Sequence, residues 1–421
     1  MLSAAALALV TAFLRPPSAS VQAAPLQESQ VVEQAIQASP VVAAAQAAVR
    51  QAQAHEKEMR SHLGFQLDLQ ALVSESSGQV AQPVSNQSFG SAEADVIAPI
   101  PNKGRADSEI DGAQGELRAA EAQLRAARLD VAYQASQAFY NLLRAQDAKS
   151  ITQENLDQSQ RQLSDVEKRV DSGDVPQADL LKAQVPVAQN QAALAQAVAA
   201  LSAADQVLDD LLHNGLDETP SLEQPTANAN PQLPQPGAAV QFALAHSPDI
   251  AIAQADLETA KAAVRFAKHA RDLDVSLQLS HARTADPTAY SFLTALTLSF
   301  ALPILDGGAA HDQVLQAEAV QQQTEQALEA ATRQVTLAVR QAILAVQADA
   351  ANVQGTSKTE QIAKESLAKA KQSYQAGLTT TRDVLDAQLI YSQSRFASSS
   401  AVYDLKIAEA ALKQALGGEM P

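Results

Sequence analysis

Residues 377–387 read Gly-Leu-Thr-Thr-Thr-Arg-Asp-Val-Leu-Asp-Ala, and a related stretch begins 204 residues earlier. Residues 99–104 match residues 303–308 at the same offset. Matches that keep their order at one offset indicate a tandem duplication, so the sequence predicts two copies of one structural unit. The residues shared by the first pair of stretches are Gly173, Asp179, Leu181, Ala183 and Gln184, which match Gly377, Asp383, Leu385, Ala387 and Gln388.

Both copies have one predicted order of elements: a helix, two short strands, a very long helix and a returning helix. Five prolines in residues 214–237 favour an extended linker between the copies, because proline fixes φ and has no N–H. The helices are predicted at roughly 30–62, 105–171 and 177–213, and again at roughly 239–271, 309–376 and 380–417. The predicted divisions are a signal peptide (1–23), a first repeat (24–213), a proline-rich linker (214–238) and a second repeat (239–421).

Apolar residues in the long helices follow a coiled-coil pattern. Eleven apolar positions from Ala106 to Leu142 recur mainly at alternating steps of four and three residues. At the eleven positions that lie 204 residues later, nine residues are also apolar. This spacing is the heptad seam of packed helices. A helix of about 67 residues is roughly 100 Å long, which suits a rod or a tube better than a globular domain.

Short segments of each copy alternate apolar and polar residues, which is the period-two pattern of strands. This alternation favours a membrane barrel with one face toward lipid over a soluble sheet, because the helices have no spare apolar surface beyond their seam. Four strands cannot close a barrel, since the smallest barrels have about eight, so this interpretation requires several copies of the chain. The segments are 65–70, 91–96, 275–280 and 291–302.

The N-terminus is typical of an exported protein. Residues 1–14 are apolar and small residues follow, so we predict a signal peptide over residues 1–23, although no lysine or arginine precedes the apolar run. Beyond residue 24 no run of 18 apolar residues occurs, so no transmembrane helix is predicted. Export without such a helix leaves the periplasm or the outer membrane as destinations.

Composition excludes several classes of protein. The formal net charge of −17 argues against a nucleic-acid partner, because phosphate binding needs a basic surface. The absence of cysteine excludes disulfides, thiolate metal sites and cysteine nucleophiles. The seven histidines are scattered, and no phosphate-binding loop occurs. We therefore predict no catalytic residues, no metal site, no cofactor and no enzymatic activity.

The duplicated order of elements, together with the two pairs of matching motifs, resembles the TolC-type outer-membrane efflux channel family. The resemblance covers nearly the whole chain beyond the predicted signal peptide. It implies a homotrimer in the cell outer membrane, whose 12-stranded β-barrel continues into a 12-helix periplasmic α-barrel. It also implies a passive exit duct of a tripartite efflux or type I secretion system, which docks a periplasmic membrane-fusion adaptor and an inner-membrane pump or exporter.

The resemblance also implies roles for individual residues near the turns and at the junctions between strands and helices. The aperture ring would consist of Asp383 and Asp386, and the closed-state network of Tyr374 and Asp179, with Thr379 where the family has an arginine and Arg382 nearby. The adaptor-docking turns would lie at Gly173 and Gly377, and the strand-to-helix motifs at Pro99, Asn102, Gly104, Pro303, Asp306 and Gly308.

Alternatives remain open from the residues themselves. Asp383 and Asp386 share one helix face, and threefold copying would place six carboxylates around one opening, where they would favour cations. Both are equally explained as acids near a helix N-terminus, which the helix dipole favours. The turn glycines also suit helix C-caps. For the whole chain, a soluble periplasmic coiled-coil adaptor or scaffold would explain the seams and the acidic charge, but it has no use for alternating strands.

Overall fold

The computed structural model describes residues 25–76, 87–100, 102–213, 222–225, 233–286, 289–376 and 378–419. The predicted signal peptide, the turn residue Gly377 and most of the predicted linker lie outside these ranges. Long helices dominate the described part, and a four-stranded sheet completes it. The predicted architecture, mainly α with a small β part, is confirmed.

The elements of the described part follow one order twice. None of its helices combines the length and the apolar character needed to cross a membrane. The first half contains α1 (Glu28–Ala38), α2 (Pro40–Ser61), β1 (Gln66–Ser76), β2 (Gln87–Ile100), α3 (Lys103–Asp171) and α4 (Gln177–Leu212). The second half contains α5 (Pro236–His246), α6 (Pro248–Lys268), β3 (Asp274–Asp286), β4 (Ala289–Ala301), α7 (Ala309–Gln375) and α8 (Thr381–Leu416).

The first helix predicted for each half, at 30–62 and at 239–271, is in fact two helices, so that prediction is wrong. Ser39 has extended dihedrals, because the residue before a proline is disfavoured in the α conformation. Its hydroxyl accepts a hydrogen bond from the Val42 N–H at 3.4 Å, and Pro40 occupies the first turn of α2. A Ser-Pro pair also separates α5 from α6.

Part of the apolar seam of each long helix lies in a hydrophobic core. The first core also takes in residues of α1, α4 and α8, and the second takes in residues of α5 and α8. Full burial of one such large side chain contributes roughly 1.5–3 kcal/mol to stability. The buried seam residues are Val131, Ala135, Phe139 and Leu142 in α3, and Val335, Val339, Ile343 and Val346 in α7.

The strands form one antiparallel sheet in the order β1-β2-β3-β4. Leu67 pairs with Val96, Val96 with Leu279, and Leu279 with Leu296, so one apolar row crosses all four strands on one face. The three leucines of this row are between 44% and 72% exposed. Within the described ranges, the outer edges of β1 and β4 have no strand partner.

The two halves meet through the second strand and the long helix of the first half. β2 pairs with β3, and α3 packs against α6 and α8. The repeat-related contacts would place β4 beside β1 and α7 beside α2 and α4. Where the chain is described, α7 makes at most a marginal contact with α2 or α4, and β4 does not pair with β1. A single chain therefore forms one of the two possible half-to-half interfaces.

Candidate functional site at the helix tips

The turn after α3 is a glycine C-cap. Gly173 has a φ of +80°, a left-handed conformation that favours glycine. The N–H of Asp174 donates to the carbonyl of Arg169 at 2.8 Å, which is the six-residue closure of a Schellman motif. After α7, the Leu378 N–H closes the same ring on the carbonyl of Ser373 at 2.9 Å. The two halves therefore end their long helices in the same way.

Asp383 closes a capping box at the start of α8. Its Oδ2 accepts hydrogen bonds from the backbone N–H and the hydroxyl of Thr380, both at 2.8 Å, and the Thr380 hydroxyl accepts from the Asp383 N–H at 3.4 Å. The bonds from Thr380 hold the pKa of the Asp383 carboxyl below its usual range. Asp383 is therefore held as a carboxylate by local helix-capping contacts.

Asp386 lies one turn further along α8 and is less engaged than Asp383. Its Oδ2 lies 3.7 Å from Nε of Arg382, and both side chains are mainly exposed. Ion pairs at this exposure contribute little, because water and salt screen them. Of the two carboxylates predicted to form a ring, Asp386 thus has the more accessible charge.

Tyr374 connects the tips of the two halves. It lies in the last turn of α7, and its Oη accepts a hydrogen bond at 3.0 Å from Nη1 of Arg169, which lies in the last turn of α3. Sequence reasoning did not identify Arg169. Its position four residues before Gly173 places it one helical turn from the tip, which is the signal that could have identified it.

The other residues of the predicted network have different contacts. Oδ1 of Asp179, in the first turn of α4, accepts a hydrogen bond from Nζ of Lys182 at 2.8 Å. The hydroxyl of Thr379 is buried and makes no hydrogen bond to any part of the chain that the structure describes. Asp179 and Arg382 line the same cleft without forming an ion pair within 4.0 Å.

At the opposite end of α3, Asn102 caps the helix and links the halves. Its Oδ1 accepts the Gly104 N–H at 3.2 Å, and its Nδ2 donates to Oδ2 of Asp272 at 2.8 Å. Nδ1 of His269 lies 2.6 Å from the same carboxylate oxygen. Hydrogen bonds from Asn102 and His269 lower the pKa of the Asp272 carboxyl. A side chain at Gly104 would overlap the His269 ring, which explains the glycine there.

Asp306 plays the matching part before α7. Its carboxylate accepts hydrogen bonds from Nε and Nη2 of Arg271, at 3.2 and 2.5 Å. It also accepts the N–H groups of Gly308 and Ala310, at 3.1 and 2.8 Å. The Arg271 guanidinium and these backbone donors hold the pKa of Asp306 far below its usual range. The matching prolines lie in β2 (Pro99) and in an exposed position just after β4 (Pro303).

The sequence that forms these long paired helices and this sheet matches a known family along most of its length. A family profile described as "Outer membrane efflux protein" matches residues 31–213 and 239–418. The chain belongs to the outer membrane efflux protein family. Its location is accordingly the cell outer membrane, with a long periplasmic helical part.

Individual relatives agree with this assignment. The chain is 25% identical over 318 residues to the cobalt-zinc-cadmium resistance protein CzcC of Cupriavidus metallidurans, a match that covers 74% of this chain and 73% of CzcC. It is 28% identical over 315 residues to the outer membrane protein TolC of Escherichia coli, covering 68% of this chain and 63% of TolC. A crystal structure of CusC superposes with a TM-score of 0.80 at 20% identity, covering 93% of this chain and 92% of CusC, which shows the common fold.

Proposed function

We propose that this chain is the passive outer-membrane exit duct of a tripartite efflux or type I secretion system, matured by removal of residues 1–23. It acts as a homotrimer, in which three four-stranded sheets form a 12-stranded barrel and the long and returning helices form a 12-helix periplasmic tunnel. It has no catalytic role, which agrees with its membership of a family of channel proteins. The observation that carries the proposal is the half-to-half interface that a single chain leaves open.

That open interface is visible at matched positions of the two halves. A Cβ at Gly112 of α3 would lie 3.8 Å from the Cβ of Ala262 of α6, which is buried. The repeat-related residues, Gln316 of α7 and Ala54 of α2, are both exposed in one chain. Packing of α7 on α2 of a second chain would bury them. Such head-to-tail contacts generate a closed ring when the rotation between copies closes.

The sheet supports the same arrangement. Its free edges, on β1 and β4, present unpaired backbone groups that a neighbouring copy can satisfy. The exposed apolar row through Leu67 and Leu296 suits a barrel wall in contact with lipid, since barrel strands direct apolar side chains outward. Three copies supply 12 strands, which is above the minimum of about eight for a closed membrane barrel.

At the tip, we assign Asp383 and Asp386 to a ring around the periplasmic opening. Asp386 provides the more accessible charge, and Asp383 fixes the start of α8 through its capping box. In the closed state, Tyr374 holds α7 against α3 through Arg169. Asp179 and Arg382 supply further polar groups with which copies meet around the opening, whereas the Thr379 hydroxyl is buried within its own chain.

The turns at Gly173 and Gly377 are the proposed docking sites for a periplasmic membrane-fusion adaptor, which connects the duct to an inner-membrane pump or exporter. Gly173 and its flanking residue Asp174 are exposed, and so is Leu378. An exposed turn is accessible to a partner without rearrangement of the chain.

Metal cations are one class of cargo that this opening would admit. The relative CzcC is named for cobalt, zinc and cadmium resistance. A ring of carboxylates raises the local concentration of cations and disfavours anions, as acidic rings do in cation channels. The duct itself needs no metal site for this role, because its selectivity would arise from the field of the ring.

Disulfide cross-linking tests the closed assembly of three chains directly, because the chain has no cysteine of its own. Ala54→Cys with Gln316→Cys, oxidised in membranes, should give cross-linked species up to three chains and none larger. Gly112→Cys with Ala262→Cys is the matched control and should join α3 to α6 within one chain. A soluble protein that stays monomeric without detergent, with no intermolecular product from the first pair, would support the scaffold alternative and contradict the duct.

A further inference from the structure

The duct as proposed above assigns no ligand to a cleft near the tips, whose lining includes Arg169, Asp179 and Arg382 of the tip contacts. The cleft lies between the last turns of α3 and the first turns of α4 and α8, and its volume is about 400 Å³. Sites for small organic molecules span roughly 300–1,000 Å³ and are lined mainly by apolar groups. The apolar part of this cleft comes from Val166, Val175, Pro186 and Leu385.

The charged lining of the cleft is predominantly positive. Its cations are Arg169, Lys182 and Arg382, and its one carboxylate is that of Asp179. Lys182 pairs with Asp179, and Arg382 lies 3.7 Å from Asp386, which is outside the cleft lining. Arg169 has no carboxylate within 4.0 Å among the residues that the structure describes, and it donates to the hydroxyl of Tyr374. An excess of cations is notable in a chain whose formal net charge is −17.

Comparison of the two repeats shows that this charge is specific to the cleft. At an offset of 204, Arg169 corresponds to Ser373 and Lys182 corresponds to Asp386. Arg382 corresponds to Ala178 by the same offset. None of the three cations is therefore retained from the duplicated unit, although the surrounding helices are. A general need for helix packing or solubility would not require cations at only one of two equivalent positions.

We propose that this cleft binds a small organic anion with an apolar body, such as an aromatic carboxylate. The apolar body packs between Val166 and Leu385, and the carboxylate takes a charge-assisted hydrogen bond from Arg169. Arg169 is suited to this role because its planar guanidinium can hold a carboxylate through two parallel hydrogen bonds. A neutral molecule of the same shape leaves these donors on water and binds more weakly.

Occupation of the cleft also acts on the tip, a consequence that rests on the proposed duct. The anion and Tyr374 compete for the guanidinium of Arg169, so binding weakens the link between α3 and α7. A ligand shifts a conformational equilibrium only when its affinity differs between the two states. Here the state in which Tyr374 has released Arg169 has the higher affinity for the anion.

Fluorescence titration of the full chain in detergent with 2-naphthoate tests the site. The chain contains no tryptophan, so the probe is read with little background. We expect saturable binding, with affinity about fivefold lower for the neutral 2-naphthamide and about fivefold lower for Arg169→Gln. Ala183→Phe, which fills the cleft from α4, should abolish binding while the protein keeps its helical content.

The matched control is Arg333→Gln, an exposed arginine of α7 that pairs with Glu329 in the same helix, and it should bind the probe as the wild type does. Equal affinities for naphthoate and naphthamide, unchanged binding by Arg169→Gln, or no saturable binding beyond that of empty micelles would each overturn the proposal.

Conductance measurements in planar bilayers test the proposed anion site and the proposed duct separately. We expect 2-naphthoate to raise the open-to-closed ratio of the wild type and to leave Tyr374→Phe unchanged. Saturable binding to a protein that forms no channel would retain the site and reject the duct. A conducting channel without saturable binding would retain the duct and reject the site. Binding without any effect on conductance would reject the competition between the anion and Tyr374.

Discussion

Nη1 of Arg169 and Oη of Tyr374 lie 3.0 Å apart and join the last turn of α3 to the last turn of α7. The repeat does not generate this pair, because the matching positions hold Ser373 and Val170. The bond therefore belongs to the contact between the halves and not to the duplicated unit. It is the described side-chain hydrogen bond nearest to the tips that connects the two hairpins.

Removing the acceptor should weaken the closed tip. A net intramolecular hydrogen bond contributes about 0.5–1 kcal/mol when partly exposed, so Tyr374→Phe should raise the open-to-closed ratio by about two- to fivefold. Single-channel recording in planar bilayers measures this ratio. Tyr133→Phe, in α3 far from the tip, is the matched control and should leave the ratio unchanged; an equal rise in the control would remove the special role of Tyr374.

The acidic ring predicts cation selectivity, which one set of substitutions should lower and another should raise. Asp383→Asn combined with Asp386→Asn should move the reversal potential in a KCl gradient toward zero, because the field that attracts cations is lost. Arg382→Gln should move it the other way, since Asp386 loses the cation 3.7 Å away. Unchanged selectivity in the double variant would exclude the ring.

The capping box predicts a pH dependence of stability at the start of α8. The pKa of Asp383 is lowered in the folded chain, so its contribution is fully present above the unfolded value of about 3.9 and is lost as the pH falls through the folded value. Asp383→Ala should lower Tm at pH 6, and the difference from wild type should shrink at pH 3. Circular dichroism at 222 nm measures both. A difference that is the same at the two pH values would contradict the prediction.

Replacing each of two glycines of α3 with alanine should change the stability of the protein in opposite directions. A Cβ at Gly115 would overlap the Thr259 hydroxyl and lie 3.2 Å from the carbonyl oxygen of Ala255, so Gly115→Ala should force α6 away and cost about 1–3 kcal/mol. Gly112 has room for the methyl group, so Gly112→Ala should stabilise the protein by about 0.5–1 kcal/mol through helix propensity. Thermal unfolding of both variants provides the comparison, and equal effects would contradict the close approach of α3 and α6.

A substitution at the tip should impair adaptor docking without impairing conduction. Leu378 is 79% exposed beside the second turn, and Leu378→Asp should impair export in cells that contain the partner pump while conductance of the purified channel stays at the wild-type level. Leu378→Ala, which removes size without adding charge, is the control and should impair export less. Normal export by Leu378→Asp would argue against a docking tip.

The helices and strands were largely predictable because their signals are local. The heptad seam contains the core residues Val131 and Phe139 of α3 and Val339 and Val346 of α7, and the alternation at 65–70 and 291–302 marks β1 and β4. The break at Ser39 was missed, although the Ser-Pro pair was visible, because apolar periodicity continues across it. At the tip, the place of Asp383 near the start of α8 was predictable. Its capping bond to Thr380 was missed, although the Thr-x-x-Asp spacing of residues 380–383 is the sequence signature of a capping box.

The sequence by itself determined the duplication, the length of the helices and the family, because each follows from the order and periodicity of residues along the chain. Only the tertiary structure decided that α3 packs on α6 and α8 of the other half, whereas α7 makes at most a marginal contact with α2 or α4 where the chain is described. It also decided that Tyr374 is hydrogen-bonded to a residue 205 positions away. The physical reason is that the two repeats have nearly equal local preferences. Which half packs on which depends on side chains that meet only when both halves are folded.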